Sequence, residues 1–180
     1  RHRNPLPQNS TEGHHLSAIH PTTLHPITPT KLCKKMASGP GWTGYHAYYD
    51  PSFPPRGPFH PDLTEEERNN SPMFGIYPNL LVGMATNFTL FMIVRPAGPD
   101  QTRIRWGVTG QEDTPDTEAV KAYVDLCRSF NTEDKEKLEI LQLTLKTRTY
   151  HGGPLAPDDF EGTIWDFIQY IGQKMGSSRG

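Results

Sequence analysis

The fold is encoded most clearly in NFTLFMIVRPAGPDQTRIRWGV, residues 87–108. Positions 87–96 are rich in apolar and β-branched side chains, and positions 102–108 alternate between apolar and polar side chains, as a half-buried strand does. The AGPDQ between them is typical of a turn. The preceding segment FGIYPNLLVGMA, residues 74–85, reads as another strand that is interrupted by its proline. The sequence therefore predicts an antiparallel meander in this part of the chain.

Helical periodicity follows the meander. Residues 117–130 carry apolar side chains at helical spacing, and residues 131–148 form a second helical pattern that Asn131 is predicted to cap. The predicted buried stripe of this second helix consists of Leu138, Leu141 and Leu145. Residues 158–175 predict a third amphipathic helix. Strands followed by long helices indicate an α+β fold.

The region 38–72 is rich in glycine, proline and aromatic residues. This composition predicts a long loop that is packed by its own aromatic side chains. These aromatic residues have two interpretations, either as walls of a pocket or as ordinary core packing. The candidates are Trp42, Tyr45, Tyr48, Tyr49 and Phe53, with Phe74 and Phe88 from the strands.

Composition narrows the functional classes. A chain of 180 residues with 34% hydrophobic content suits one domain with its own core. A formal net charge of −2 and the lack of a basic stripe argue against a nucleic-acid partner, and no apolar run predicts a membrane span. We expect Cys33 and Cys127 to be reduced thiols in a cytoplasmic protein, with one disulfide as the alternative. Because the chain starts on Arg1, we expect it to be a fragment or a trimmed product.

A cluster of histidines lies in NSTEGHHLSAIHP, residues 9–21. Imidazole is a common ligand of zinc, iron, copper and nickel. His15 and His20 are five residues apart, and this step separates them on an ideal helix. Both reach one metal only if the short helix expected over residues 10–19 widens by a π-type turn or ends between them, and Pro21 favours an end. The alternative is that they are ordinary histidines, since the chain has eight.

The segment QNSTEGHHLSAIHP, residues 8–21, resembles ENxxExYHxxxxHP, the iron-binding signature of the α subunits of Rieske non-haem iron (ring-hydroxylating) oxygenases. A second resemblance is distant in the chain. EDKEKLEILQ, residues 133–142, and LKTRTYHGGPLAPDDFEGTIWDFIQYI, residues 145–171, are similar to the family's acidic pair, Gly-Pro-Leu turn and closing helix. YPNLL, residues 77–81, fits a strand of the same catalytic domain. The resemblance covers nearly the whole chain.

The resemblance implies a metal site. It places the family's two histidine ligands on His15 and His20 and the carboxylate ligand on Asp134. Two histidines and one carboxylate occupy one face of Fe(II) and leave the other positions open, although zinc accepts the same ligand types. Glu12 matches an acidic residue that accepts the other N–H of an imidazole and faces the cluster of a neighbouring subunit. Asn9 matches an asparagine for which we expect a hydrogen-bonding role.

Two departures qualify the resemblance. His14 stands where the family has tyrosine, so it is a possible competing ligand. A Rieske [2Fe–2S] centre needs paired C-x-H and C-x-x-H motifs, which this sequence lacks. We therefore expect residues 1–180 to be a single mononuclear iron domain without the Rieske domain, inactive alone.

The resemblance also implies fold, activity and partners. The expected architecture is a helix-grip fold of the START/Bet v1 type, in which an antiparallel sheet wraps around a long C-terminal helix. The expected activity is hydroxylation of an aromatic or similar apolar-ring substrate with O₂. Electrons would come from NAD(P)H through a reductase and a Rieske cluster supplied elsewhere, and the intact protein would be a homotrimer.

Three alternatives remain open from the sequence. The helix-grip fold also serves as a non-catalytic carrier of hydrophobic ligands. A hydrolase can use zinc or iron in the same three ligands. The chain can also be a truncated, inactive product. Bound metal separates the carrier from the two metalloenzymes, and dependence on O₂ and a reductant separates the oxygenase from the hydrolase.

Overall fold

The computed structural model describes residues 9–55, 59–98, 100–110, 117–151 and 153–177. Its centre is a six-stranded antiparallel sheet in the order β1-β2-β3-β4-β5-β6, so every strand pairs with its neighbour in the sequence. The strands are β1 (Cys33–Lys35), β2 (Trp42–Tyr48), β3 (Asn70–Ile76), β4 (Leu80–Met84), β5 (Phe88–Pro96) and β6 (Thr102–Gly110). The α-helices are α1 (Leu16–Ile19), α2 (Glu65–Arg68), α3 (Thr117–Thr144) and α4 (Asp158–Ser177), and Thr30–Leu32 forms one 3₁₀ turn. The predicted α+β fold with its meander is confirmed.

The hairpin of β5 and β6 forms as predicted. Its pairing runs from Phe88 opposite Gly110 to Pro96 opposite Thr102. The turn is closed by a 2.9 Å hydrogen bond from the Ala97 N–H to the Gln101 carbonyl. Leu90, Met92 and Val94 alternate along β5 and are all buried, because successive side chains of a strand point to opposite faces of the sheet. This alternation fixes which face of the sheet carries the core.

The predicted loop over residues 38–72 is wrong in part. Residues 42–48 are β2, and β3 begins at Asn70. Thr43, Tyr45 and Ala47 alternate along β2 and are buried, which is the period of a half-buried strand. The glycines and prolines on both sides concealed this period. Residues 56–58 of the predicted loop lie outside the described residues.

The predicted break at Asn131 is also wrong, because α3 is a single helix that passes through this residue. The same side of the helix faces the core before and after Asn131. Four residues on this side pack in the core formed with β4 and β5, namely Tyr123, Cys127, Phe130 and Leu138. Their spacing of three, four and eight residues keeps them on one side of a helix. Because the helix continues through Asn131, this residue does not act as a cap.

The predicted leucine stripe of residues 138–145 is interrupted in its middle. Leu138 and Leu145 are half-buried, whereas Leu141 is exposed. The core ends near Leu138, so the last turns of α3 project beyond it.

Helix α4 packs against β1 and β2 on the face of the sheet that also faces α3. The Thr43 hydroxyl donates a 2.7 Å hydrogen bond to Asp166 of α4, and Thr43 shares its strand face with Tyr45 of the core. The Lys35 ammonium lies 3.4 Å from the same Asp166 carboxylate. The two long helices and the N-terminal segment therefore cover one face of the sheet, with an interior between them. In the described part of the chain, no helix is long and apolar enough to cross a membrane.

Both cysteines are free and buried, so the expected reduced state agrees with the structure. Burial raises the pKa of the Cys33 thiol to about 12, with a smaller contribution from the charge of Glu12. Burial raises the pKa of Cys127 to about 11.

We predict slow thiol labelling of the folded chain. A thiolate is the reactive form, and at pH 8 an ordinary thiol with a pKa near 8.5 is about one-quarter ionised. The raised pKa values make both thiols react with a disulfide reagent at least about 100-fold more slowly in the folded chain than in urea. Time courses of labelling in buffer and in urea measure this ratio. Equal rates in the two solvents would contradict the buried positions of both residues.

Candidate metal centre

The two histidines meet because a helix ends between them. His15 precedes the single turn of α1 and His20 follows it, where the backbone leaves the helical conformation at φ −117° and ψ 45°. The His20 N–H donates a hydrogen bond to the Leu16 carbonyl, so one complete helical turn forms before the backbone changes direction at His20. The two imidazole rings lie with their centroids 5.2 Å apart. The five-residue spacing allowed either a widened π-type turn or a helix that ends between the histidines. The structure has a helix that ends between them.

Asp134 joins the histidines from the middle of α3. It lies four residues after Phe130 and four before Leu138, on the side of the helix that packs in the core, and it is 9% exposed. One ligand atom from each of His15, His20 and Asp134 lies within 4.8 Å of the others. The Asn9 side-chain amide donates a 2.7 Å hydrogen bond to Asp134 Oδ1. The structure thus brings together residues separated by more than a hundred positions.

Glu12 holds His15 in place. Its Oε1 lies 2.7 Å from His15 Nδ1. Its Oε2 accepts hydrogen bonds from the backbone N–H groups of His14 and His15. Glu12 is 5% exposed, so these contacts occupy a buried carboxylate. Because Nδ1 of His15 is engaged, its Nε2 is the nitrogen that remains for another partner.

His20 has the same arrangement with a different carboxylate. Its Nδ1 lies 2.6 Å from Glu133 Oε2, and the Thr23 hydroxyl donates a 2.6 Å hydrogen bond to the same oxygen. His20 is completely buried. Its Nε2 lies 3.1 Å from Asp134 Oδ1 but has no hydrogen-bond partner, because the geometry is unsuitable. A buried polar atom without a partner is costly, and this one points into the group of potential ligands.

The carboxylates around His20 change its proton affinity. Burial lowers the pKa of His20, but Asp134 and Glu133 together outweigh this effect and raise the pKa above its ordinary value. A carboxylate beside an imidazole favours its charged form, whereas loss of water disfavours it. In the metal-free chain, a proton and a metal ion therefore compete for the same ring nitrogen.

A cavity of about 140 Å³ opens beside the three residues. His15, His20 and Asp134 line one part of it, and the remaining wall is mostly apolar and aromatic. The larger wall residues are Leu16, Leu24, Ile27, Tyr45, Tyr49, Met73, Leu90, Met92, Tyr123, Leu126 and Phe130. In another protein, a dry cavity of about 150 Å³ holds one benzene molecule. The space beside these three residues therefore fits a small apolar molecule.

Some of the aromatic residues that the sequence suggested as pocket walls line the cavity, and others do not. Tyr45 and Tyr49 line the cavity. Trp42 and Phe53 are exposed, and Phe88 instead stacks on Tyr123 with centroids 5.0 Å apart. Tyr48 and Phe74 are likewise absent from the wall. Tyr123 and Phe130 of α3 also line the cavity. They were not among the candidates from the sequence, although their inward positions follow from the helical period.

His14 is directed away from the other two histidines. It is exposed, and its ring packs edge-on against Phe160 of α4 with centroids 5.7 Å apart. It does not belong to the group whose ligand atoms converge. Gln8, the first residue of the sequence signature, lies outside the described residues.

A family model described as the catalytic domain of the ring-hydroxylating α subunit matches residues 8–177. This chain belongs to that family. The match spans both segments that carried the resemblance, one at each end of the chain. None of the curated proteins matches the chain at a significant level.

Solved structures similar to this chain include those of the quaternary ammonium Rieske monooxygenase CntA. Its complex with the inhibitor MMV12 shares 18% sequence identity with a TM-score of 0.67, over 91% of this chain and 43% of that chain. A CntA structure that addresses carnitine oxidation by gut microbiota gives 16% identity and a TM-score of 0.68, over 91% and 44%. The complex with the substrate gamma-butyrobetaine gives 15% and 0.62, over 91% and 41%. At this identity the likeness shows the fold, and the chain spans less than half the length of these relatives.

Glu133 is the contact that sequence reasoning did not identify. The sequence placed it beside Asp134 in an acidic pair at a helix start, where acidic residues are common. In the structure, it lies inside α3 and reaches His20. Its position directly before Asp134 was the available signal, since adjacent residues on a helix project about 100° apart and can reach two sides of one ring.

Proposed function

We propose that this chain is the mononuclear iron domain of a Rieske-type oxygenase, with His15, His20 and Asp134 as ligands of Fe(II). The supporting observation is the buried, unpartnered Nε2 of His20, which faces a carboxylate and a second imidazole. Two histidines and one carboxylate with open positions suit non-haem Fe(II) in oxygenases. A plain ligand carrier does not require two imidazoles and a carboxylate whose ligand atoms converge within 4.8 Å.

The residues around the ligands have definite tasks in this proposal. Glu12 orients His15, and Asn9 orients Asp134. Fe(II) bound there supplies activation of O₂ for hydroxylation, with electrons from a Rieske cluster. The apolar wall holds the substrate next to the ligands and excludes water. The cavity volume suits an aromatic or similar apolar ring, and CntA extends the comparison to quaternary ammonium compounds.

The remaining parts of the system lie outside residues 1–180 in this proposal, which treats the chain as one catalytic domain. The [2Fe–2S] cluster is supplied by another domain or chain, and NAD(P)H feeds it through a reductase. The intact protein is a cytoplasmic homotrimer in which Glu12 faces a neighbour's cluster. The inter-subunit electron transfer described for CntA supports this arrangement.

An anaerobic binding experiment tests the proposal. The chain is loaded with Fe(II), nitric oxide is added, and electron paramagnetic resonance is recorded. We expect one iron per chain and the signal of a high-spin iron–nitrosyl complex, because three protein ligands leave positions open. A chain that takes up Zn²⁺ but no Fe(II), or that gives no nitrosyl signal, contradicts the proposal.

Turnover with added donors then tests the substrate class. A reduced Rieske ferredoxin, O₂ and either a single-ring aromatic compound or a quaternary ammonium compound are supplied, and mass spectrometry detects the hydroxylated product. We expect product from the ring compound. Product from the ammonium compound alone would retain the oxygenase and replace its substrate.

A further inference from the structure

Two consecutive residues of α3 contact opposite sides of the same imidazole. Asp134 lies 3.1 Å from His20 Nε2, and Glu133 lies 2.6 Å from His20 Nδ1. The His20 ring is therefore held between neighbouring side chains of one helix, and it is completely buried. Since α3 also packs along the sheet core, both carboxylates share one rigid support.

From this geometry we infer that Glu133 is a positioning residue for the metal site, acting through His20. The inference rests on the proposed function, in which His20 Nε2 is a metal ligand. A carboxylate that accepts from Nδ1–H fixes the tautomer that presents a bare Nε2 and makes this nitrogen more basic. Thr23 completes the arrangement, because its hydroxyl donates to the same Glu133 oxygen and keeps the carboxylate turned towards the ring.

The two histidines differ in how they are supported. His15 depends on Glu12, which is only three residues away on the same segment. His20 depends on Glu133, which is more than a hundred residues away on a helix in the core. Loss of Glu133 would therefore remove the contact that fixes Nδ1 of the His20 ring, whereas Asp134 would remain in place on α3.

A purely structural role for Glu133 is the rival explanation, in which it only fastens the segment near Thr23 to α3. The two explanations predict different midpoint potentials for the bound iron. A carboxylate bonded to a ligand imidazole stabilises Fe(III) more than Fe(II), so its removal raises the midpoint potential. A fastening contact changes the free energy of unfolding of the metal-free chain without moving this potential.

Three variants test the inference in the full chain. Glu133→Ala removes both charge and hydrogen bond, and Glu133→Gln keeps a neutral acceptor of similar size. Glu136→Gln is the matched control, because Glu136 is exposed on the same helix. Fe(II) affinity is measured by anaerobic titration, the midpoint potential by redox titration of the loaded chain, and folding by circular dichroism.

We expect Glu133→Ala to weaken Fe(II) binding by about 10- to 100-fold, the usual effect of losing such a partner. Glu133→Gln should lose less affinity but still show a raised midpoint potential, and Glu136→Gln should match the wild type. Unchanged affinity and potential in both Glu133 variants would overturn the inference, and so would equal losses in the control. A wild-type chain that binds no Fe(II) would overturn the proposed function as well, so the two failures are distinguishable.

Discussion

Replacing His20 with alanine is expected to abolish stoichiometric Fe(II) binding. His20 is completely buried, and its Nε2 is a buried atom without a hydrogen-bond partner. Since loss of a group that only supports a ligand typically weakens metal binding by about 10- to 100-fold, loss of the ligand itself should weaken it by more than about 100-fold. Anaerobic Fe(II) titration with quantification of iron per chain measures the effect.

His14→Ala is the matched control for this experiment. His14 belongs to the same segment but is exposed and packs on Phe160. We expect this variant to bind one Fe(II) with the affinity of the wild type. If His14→Ala loses iron while His20→Ala retains it, the ligand assignment is wrong and His14 is the competing ligand that the sequence left open.

The second large effect is expected for Asp134→Asn. The substitution keeps the size of the side chain and an oxygen that can accept from the Asn9 amide, but removes the negative charge. A neutral amide is a poor ligand for a site that already has two neutral imidazoles, so Fe(II) affinity should fall by at least about 100-fold. The same titration gives the affinity, and thermal unfolding followed by circular dichroism reports whether the fold is retained.

An Asn9→Ala variant separates the ligand from its support. It leaves the Asp134 carboxylate intact and removes only its 2.7 Å hydrogen bond. We expect a smaller loss of affinity than in Asp134→Asn. A folded Asp134→Asn chain with wild-type affinity for Fe(II) would show that the carboxylate is not a ligand.

Local sequence patterns predicted the hairpin of residues 87–108, because the two strand patterns and the turn between them all indicate the same structure. They failed for residues 42–48, where strand pairing with β1 and β3 prevails over flanking glycine and proline. They failed again at Asn131, a good helix cap in isolation that tertiary packing incorporates into a continuous helix.

The candidate site shows a different limit. The spacing of His15 and His20 could not select a metal site, and Asp134 entered only through the family resemblance, since no local pattern links positions so far apart. The convergence of these three residues is visible only in the fold. Glu133 stayed unidentified because its partner, His20, is also distant in sequence. The roles of His15, His20, Asp134, Glu12 and Asn9 in binding iron stay predictions.

Asp134 lies on α3 and His20 on the N-terminal segment, so a metal ion bound to both would join two distant parts of the chain. An ion bound to both residues would close a ring of more than a hundred residues, much as a covalent cross-link between these positions would. Closing so long a ring restricts the unfolded chain strongly, because the entropy of loop closure grows with loop length. Bound iron would then cross-link the N-terminal segment to α3, and the metal-loaded chain would unfold at a higher temperature than the metal-free chain.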